Sequence, residues 1–243
     1  MKVFRKAILL IHGFAGGTYD FESLAKNLEC INNYDVFTFT LNGHDGNSSE
    51  IIKYDMWIKK SMEEVEFLIE KGYKNIYVIG HSMGGVIASY LAYKYKEIKK
   101  VVLAAPAFRY IGHENDRFNY LTFVTKPYKL VKQYGGKIVI NRLFKLPINC
   151  YLEFVRLVKE YQDYPLKLDK PILLIWGTSD NIVPKESIDY VYNSVKTNKK
   201  KIIYLEGISH DIFRESKSDI IIKEIINFLK NKSNYNSINL WYN

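Results

Sequence analysis

Ser82 stands between glycines in Gly80-His81-Ser82-Met83-Gly84, and a further glycine follows at Gly85. That spacing is the form of a nucleophile elbow, a sharp strand-to-helix turn that carries a hydroxyl at its tip. A serine in such a turn takes positive φ, which crowds the residues two before and two after it. Glycine at both places relieves the clash. The Met83 N–H, at the start of the next helix, would face negative charge developing on an attacked carbonyl. The bare pattern arises from composition in roughly one chain in ten of this length. The apolar run Ile76 to Ile79 before it and the small-residue helical pattern Gly84 to Leu91 after it supply the missing context.

A serine hydroxyl is a weak nucleophile near neutral pH and needs a base within reach and an acid to orient that base. The histidines are His12, His44, His81, His113 and His210. His81 sits inside the elbow, where its side chain is expected to point away from its neighbour. His12 opens a glycine-rich loop, and His44 and Asp45 are read as shaping another. His113 falls in the segment 107–168. His210, in Glu206-Gly207-Ile208-Ser209-His210-Asp211 after the last expected strand, is the candidate base.

For the chain order serine, acid, histidine, the candidate acid is Asp180, beside Gly177 and Ser179 at a strand end. Glu206 and Asp211 share the histidine's own loop, Asp169 precedes its strand, and no carboxylate follows the strand ending at Ala104. The loop His12-Gly13-Phe14-Ala15-Gly16-Gly17 lacks the glycine spacings of phosphate cradles. It is read as an oxyanion loop, with the Phe14 N–H as second donor beside Met83.

These residues need a frame. Ala7 to Ile11, Val36 to Thr40, Ile76 to Ile79, Lys100 to Ala104, Pro171 to Trp176 and Lys200 to Leu205 read as strands, several of them continuous apolar runs buried on both faces. Helical patterns alternate with them: Tyr19 to Cys30, Lys53 to Lys71 with Ile58, Met62, Val65 and Ile69 inward, and Lys217 to Lys230. The alternation predicts a doubly wound α/β fold, a mostly parallel sheet of about six core strands with right-handed crossovers. Residues 1–106 and 169–231 make up the expected core, and 232–243 a polar, loosely ordered tail.

Residues 107–168 break the rhythm, because the segment is far longer than an ordinary connection. It holds twelve of the 36 aromatic side chains and eleven Lys or Arg against five Asp or Glu. It is expected to be a largely helical cap that offers an apolar wall to an acyl or alcohol group. Phe108 and Phe123, with Ile182 beyond it, are the candidate substrate contacts.

The formal net charge of +9, concentrated in that segment, would suit anionic substrates or a membrane surface, although a solvated lysine-rich face explains it as well. No motif supports nucleic-acid binding. Cys30 and Cys150, distant in sequence, form neither a disulfide framework nor a metal cluster, and are read as buried or inert thiols of a reducing compartment. The apolar run Ala7 to Ile11 after Lys2, Arg5 and Lys6 is too short for a signal or a span, so a cytoplasmic protein is expected. The chemistry calls for no metal and no organic cofactor, and oligomeric state is not encoded.

His12-Gly13-Phe14, Gly80-His81-Ser82-Met83-Gly84-Gly85, Gly177-x-x-Asp180-x-Ile182-Val183-Pro184 and Gly207-x-Ser209-His210 together resemble the α/β-hydrolase superfamily. Within it they are most similar to bacterial carboxylesterases and monoacylglycerol-lipase-like enzymes, from about Ala7 to Leu229. The resemblance implies Ser82 as nucleophile, His210 as base, Asp180 as orienting acid, and the Phe14 and Met83 amides as oxyanion hole. It implies hydrolysis of esters of apolar acyl groups through an acyl-enzyme. A thioesterase, an amidase or peptidase with the same triad, or a non-catalytic ligand receptor on this scaffold are the alternatives. The chain begins at what would be the family's third strand. Asn42-Gly43-His44-Asp45-Gly46 departs from the family loop, with Asn where Pro or Lys is common and Asp where Gly is common.

Overall fold

The structure is a computed structural model, and it describes residues 5–44, 51–110, 113–114, 117–118, 148–214, 218–232, 234–235 and 238–240. Strands β1 (Lys6–Ile11), β2 (Tyr34–Thr38), β3 (Ile76–His81) and β4 (Ile98–Ala104) form where the apolar runs predict them. The short pair β5 (His113–Glu114) and β6 (Arg117–Phe118) is antiparallel, and β7 (Ile172–Gly177), β8 (Lys200–Leu205) and β9 (Ile238–Leu240) return to the main sheet. That sheet is parallel throughout, in the order β2-β1-β3-β4-β7-β8-β9.

It has seven strands, one more than the sequence predicts. The extra strand is β9, which lies in the segment expected to be a loose polar tail. Its backbone pairs with β8 from Ile202↔Ile238 to Tyr204↔Leu240. An edge strand needs only main-chain groups to be satisfied, so an asparagine-rich composition does not exclude it.

Helices α1 (Glu22–Glu29), α2 (Tyr54–Glu70), α3 (Met83–Lys94), α4 (Ile148–Tyr161), α5 (Lys185–Ser194) and α6 (Ser218–Leu229) cover the sheet. α1 touches α6, whereas α2, α3 and α4 touch one another. α2 buries Trp57, Ile58, Ser61, Val65 and Leu68, and leaves Met62 and Ile69 at the margin of that stripe. α3 is buried almost all round, because Gly84, Gly85 and Ala88 let its axis approach the strands.

Lysines close three of these helices. Lys100 of β4 donates to the Phe228 and Leu229 carbonyls at the end of α6, at 2.5 and 2.9 Å. Lys170 donates to the Ala92 and Tyr95 carbonyls at the end of α3, and Lys200 to the Tyr192 carbonyl of α5 at 2.7 Å. The last carbonyls of a helix have no intrahelical donor and carry its negative pole, so an ammonium group there is doubly favourable. Lys201 and Glu224 pair between β8 and α6 at 2.7 Å with both side chains largely buried. Cys30 is exposed at the end of α1 and Cys150 is buried, and both are free thiols. Among the described residues no helix is long and apolar enough to cross a membrane.

The register brings the carboxyl ends of the strands into line. Ile11 pairs with Gly80, His81 with Ala104, and Gly177 with Leu205. The loops after β1, β3, β4, β7 and β8 therefore leave one edge of the sheet. The chain goes from β1 outward to β2 and then crosses to β3, so the β1 and β3 ends flank the point where the winding reverses. Open α/β sheets bind ligands at that point.

Candidate active site

Ser82 is the single residue between β3 and α3, with φ 55° and ψ −118°. Such a conformation costs a non-glycine residue on the order of 1–3 kcal/mol and persists only where the surroundings hold it. Here they do. The Ser82 N–H donates to the Ala104 carbonyl at 2.9 Å, and the Ser82 carbonyl accepts from Gly85 at 2.9 Å and Ala107 at 3.1 Å. A Cβ on Gly80 would fall onto the Gly84 carbonyl, and one on Gly84 onto the carbonyl oxygens of Ile11 and His12. Only glycine at these two positions lets the turn close against β1. Ala105 (φ 42°) and Ala15 (φ 57°) are also left-handed, so three of the five described non-glycine residues with positive φ surround this edge.

Asp180 lies beyond β7, in a turn closed by its own N–H to the Gly177 carbonyl at 3.0 Å. Its Oδ1 accepts from the Ile182 and Val183 amides at 2.8 and 2.9 Å. Its Oδ2 meets His210 Nδ1 at 2.7 Å, and both side chains are almost wholly buried. A carboxylate cannot donate, so Nδ1 carries the proton and Nε2 is the basic nitrogen. The two loops are tied along their length: Ser179 N–H donates to the Ile208 carbonyl at 3.0 Å, and Gly207 N–H to Thr178 Oγ1 at 2.9 Å.

Two of the four other histidines, His81 and His12, act as braces. His81 Nε2 donates to the His210 carbonyl at 2.9 Å, and the two rings are 4.8 Å apart. Its side chain therefore reaches the His210 loop, 129 residues away in sequence. Burial, reinforced by the neighbouring His210, holds His81 below the ordinary histidine range, so it stays neutral beside His210. His12 accepts the Leu41 N–H on Nε2 at 3.0 Å, which leaves Nδ1–H to donate to the Gly13 carbonyl at 2.8 Å. Burial lowers His12 to about 4. Nothing in the spacing of the histidines announces either contact. The available signal is that both stand at strand ends next to glycine.

The His12 bond fixes the loop after β1. The Gly13 carbonyl also accepts from Gly16 at 3.1 Å. In a trans peptide the C=O and the following N–H point oppositely, so holding this carbonyl fixes the direction of the Phe14 amide. A Cβ on Gly13 would come within 2.9 Å of the Ser82 Cβ, which places this peptide against Ser82. Met83 is the first residue of α3, and its N–H is one of the helix's free-pointing donors.

Of the expected substrate contacts, Phe108 is 0% exposed and packs near Tyr190 of α5, 6.0 Å between ring centres. It packs into the core behind the β4 loop. Ile182 is half-buried, with its amide on Asp180. Phe123 lies outside the described residues, as does Asp45. His44 is a loop residue, its Nδ1 3.1 Å from the Asn42 carbonyl and its ring against Phe14 and Trp57. Among the described residues no cluster of His, Cys, Asp and Glu could hold a metal ion.

A parallel sheet wound from β1 outward, with a strained serine at the elbow and a buried histidine–aspartate pair on the neighbouring loops, defines an α/β hydrolase. The chain has that fold and is of the esterase and lipase type. Residues 6–119 match the family described as alpha/beta hydrolase fold, and residues 119–217 match serine aminopeptidase, S33. The chain is similar to a carboxylesterase of Bacillus subtilis, 25% identical over 230 residues that cover 93% of this chain and 92% of that protein. It is similar to a thermostable monoacylglycerol lipase of a Bacillus species, 25% identical over 236 residues, 91% of this chain and 89% of the other. A soluble variant of monoglyceride lipase from Saccharomyces cerevisiae, solved with a substrate analogue, has the same fold. Its TM-score is 0.71 at 21% identity, covering 96% of this chain and 89% of that one.

Proposed function

We propose that the protein is a carboxylesterase or monoacylglycerol-lipase-like hydrolase working through Ser82, His210 and Asp180. The observation that carries this reading is the buried 2.7 Å contact between Asp180 Oδ2 and His210 Nδ1, on loops beside a serine held at φ 55°. His210 Nε2 takes the hydroxyl proton as Ser82 Oγ attacks the ester carbonyl. The carbonyl oxygen becomes an oxyanion between the Phe14 and Met83 amides, each worth about 3 kcal/mol on the scale of single oxyanion donors. The imidazolium, stabilised by Asp180, protonates the departing alcohol and leaves an acyl-Ser82 ester. Water then gives its proton to His210 and its oxygen to the acyl carbon, and the acid leaves as Ser82 is regenerated. A neutral His81 helps, because a second charged imidazole at this distance would oppose the imidazolium.

Apolar acyl groups suit the aromatic surroundings of Phe14, and the relatives named for carboxylesters and monoacylglycerol point the same way. The two cysteines, both free, suit a reducing cytoplasm. The match of residues 119–217 to serine aminopeptidase favours an amidase or peptidase as the second reading, since the same triad serves both. Hydrolysis of p-nitrophenyl esters of graded chain length and of a monoacylglycerol, compared with an aminoacyl p-nitroanilide, separates the two. Ser82→Ala is expected to abolish turnover while the melting temperature holds. Hydrolysis that persists in the pure variant defeats the assignment, and failure of a fluorophosphonate to label Ser82 would favour a binding module.

A further inference from the structure

The Phe14 side chain is enclosed by rings from three directions. His44 lies 5.9 Å away on the loop after β2, and Trp57 6.3 Å away on α2. Phe154 stacks at 5.3 Å and Tyr151 stands edge-on at 6.1 Å, both from α4. Two of the four partners therefore belong to a helix of the segment 107–168 that is not part of the sheet's own winding.

α4 is fastened at one point close to this contact. Glu153, only 6% exposed, accepts the Tyr54 N–H on Oε2 at 3.0 Å, and its Oε1 pairs with Arg156 one turn on. Tyr54 is the first residue of α2, and Lys53, the residue before the helix, provides no side-chain cap. A glutamate from another helix thus caps α2 from outside, at the helix's positive pole. The same carboxylate lies between Tyr151 and Phe154 in sequence, while Trp57 stands one turn into the helix it caps. Trp57 Nε1 is itself held by the Asn42 carbonyl at 2.9 Å.

The loop under this cluster needs holding. Ala15, next to Phe14, has φ 57°, which a non-glycine residue keeps only when its neighbours impose it. On the β1 side His12 and Gly16 fix the Gly13 carbonyl. On the outer side, among the described residues, the Phe14 ring meets these four rings.

We propose that Glu153 is a positioning residue for the oxyanion loop. By capping α2 from α4 it sets Phe154, Tyr151 and Trp57 around the Phe14 ring, and through that ring it holds the Phe14 amide toward the carbonyl oxygen. The inference rests on the reading of Phe14 as an oxyanion donor. It assigns α4 a part in the chemical step for every ester, including those too short to touch it.

Kinetics of Glu153→Ala and Glu153→Gln test it, with p-nitrophenyl acetate as the short substrate and the decanoate as the long one. Loss of a whole oxyanion donor costs roughly 10²–10³-fold, so a displaced one is expected to cost about ten-fold in kcat. Glu153→Ala should show that loss equally on both esters with KM within about two-fold. A small alkyl trifluoromethyl ketone, whose adduct places an alkoxide in the same hole, should bind more weakly by the same factor. Glu153→Gln keeps the acceptor for Tyr54 and should restore both quantities. Glu160→Gln, an exposed charge change on the same helix, should alter neither. An unchanged kcat in Glu153→Ala overturns the proposal, as does a loss confined to KM of the decanoate. If Glu153→Ala does not fold, Phe154→Leu is read by the same criteria and decides. Ser82→Ala separates the two levels: activity surviving there removes the triad reading, whereas a dead Ser82→Ala beside a fully active Glu153→Ala removes only this one.

Discussion

Asp180→Asn changes one atom and asks whether the carboxylate sets the tautomer of His210. In the native site Asp180 presents oxygen in both directions: Oδ1 to the Ile182 and Val183 amides at 2.8 and 2.9 Å, and Oδ2 to His210 Nδ1 at 2.7 Å. Asparagine has one oxygen. If it faces the imidazole, the NH2 group must point at two backbone donors, and two buried hydrogen bonds become repulsive contacts costing about 1–3 kcal/mol each. The oxygen therefore stays with the two amides and the NH2 group turns to His210. Facing a donor, Nδ1 must become the acceptor, which moves the proton to Nε2, where it cannot accept from Ser82. Such a tautomer error is worth about 10⁴-fold in kcat in another serine hydrolase, or ~5.5 kcal/mol of transition-state stabilisation. Because the amide bonds persist, the folded state loses less than about 1 kcal/mol, some 2–4 °C of melting temperature for a chain of this size. The assay is steady-state hydrolysis of p-nitrophenyl butyrate beside a thermal melt. Retention of a tenth of wild-type kcat in a folded Asp180→Asn protein would refute the reasoning.

His81→Phe keeps the ring but removes the donor to the His210 carbonyl, and kcat/KM for the same ester should fall roughly ten-fold with about 1 kcal/mol of stability lost in urea. Gly84→Ala drives a methyl group into the Ile11 and His12 carbonyls. Backbone cannot yield as a side chain can, so a denaturant melt should show at least about 3 kcal/mol of destabilisation or no soluble protein. His12 is neutral in the fold to about pH 4 but charges near 6.5 when unfolded. Between those values the unfolded chain binds more protons, so stability is fully present above 6.5 and is lost as pH falls toward 4, by up to about 3 kcal/mol. Urea midpoints of wild type and His12→Asn, compared at pH 7 and pH 5, should show the smaller acid loss in the variant. An equal loss in both would assign the acid sensitivity to other groups.

The chemistry-bearing positions are legible in the sequence because the constraints on them are local. An elbow needs glycines two residues either side of the nucleophile, and a parallel strand buried on both faces must be an unbroken apolar run. The candidate base and the candidate acid each sit beyond the end of such a run, and His210 meets Asp180 across 30 residues of sequence. What spacing does not encode is where a long side chain lands after folding. His81 looks like an internal residue of the elbow until the loop after β8 folds over it, and Glu153 is one of two carboxylates on an amphipathic helix until α2 presents an uncapped end. Phe108 is one aromatic of a segment rich in them, and that composition does not say that its ring packs near Tyr190 of α5. β9 is missed for the opposite reason: a strand held by main-chain pairing at an edge asks little of its side chains.

Lysine at the ends of α3, α5 and α6 changes how the basic composition should be weighed. A net charge of +9 counts ammonium groups without asking which already have their anion-like partner inside the molecule. Lys100, Lys170 and Lys200 spend theirs on carbonyl oxygens, and an approaching phosphate or lipid headgroup would find them engaged. Such residues behave as fasteners, so exhaustive acylation of the amines would be expected to loosen helix ends before it altered any binding surface.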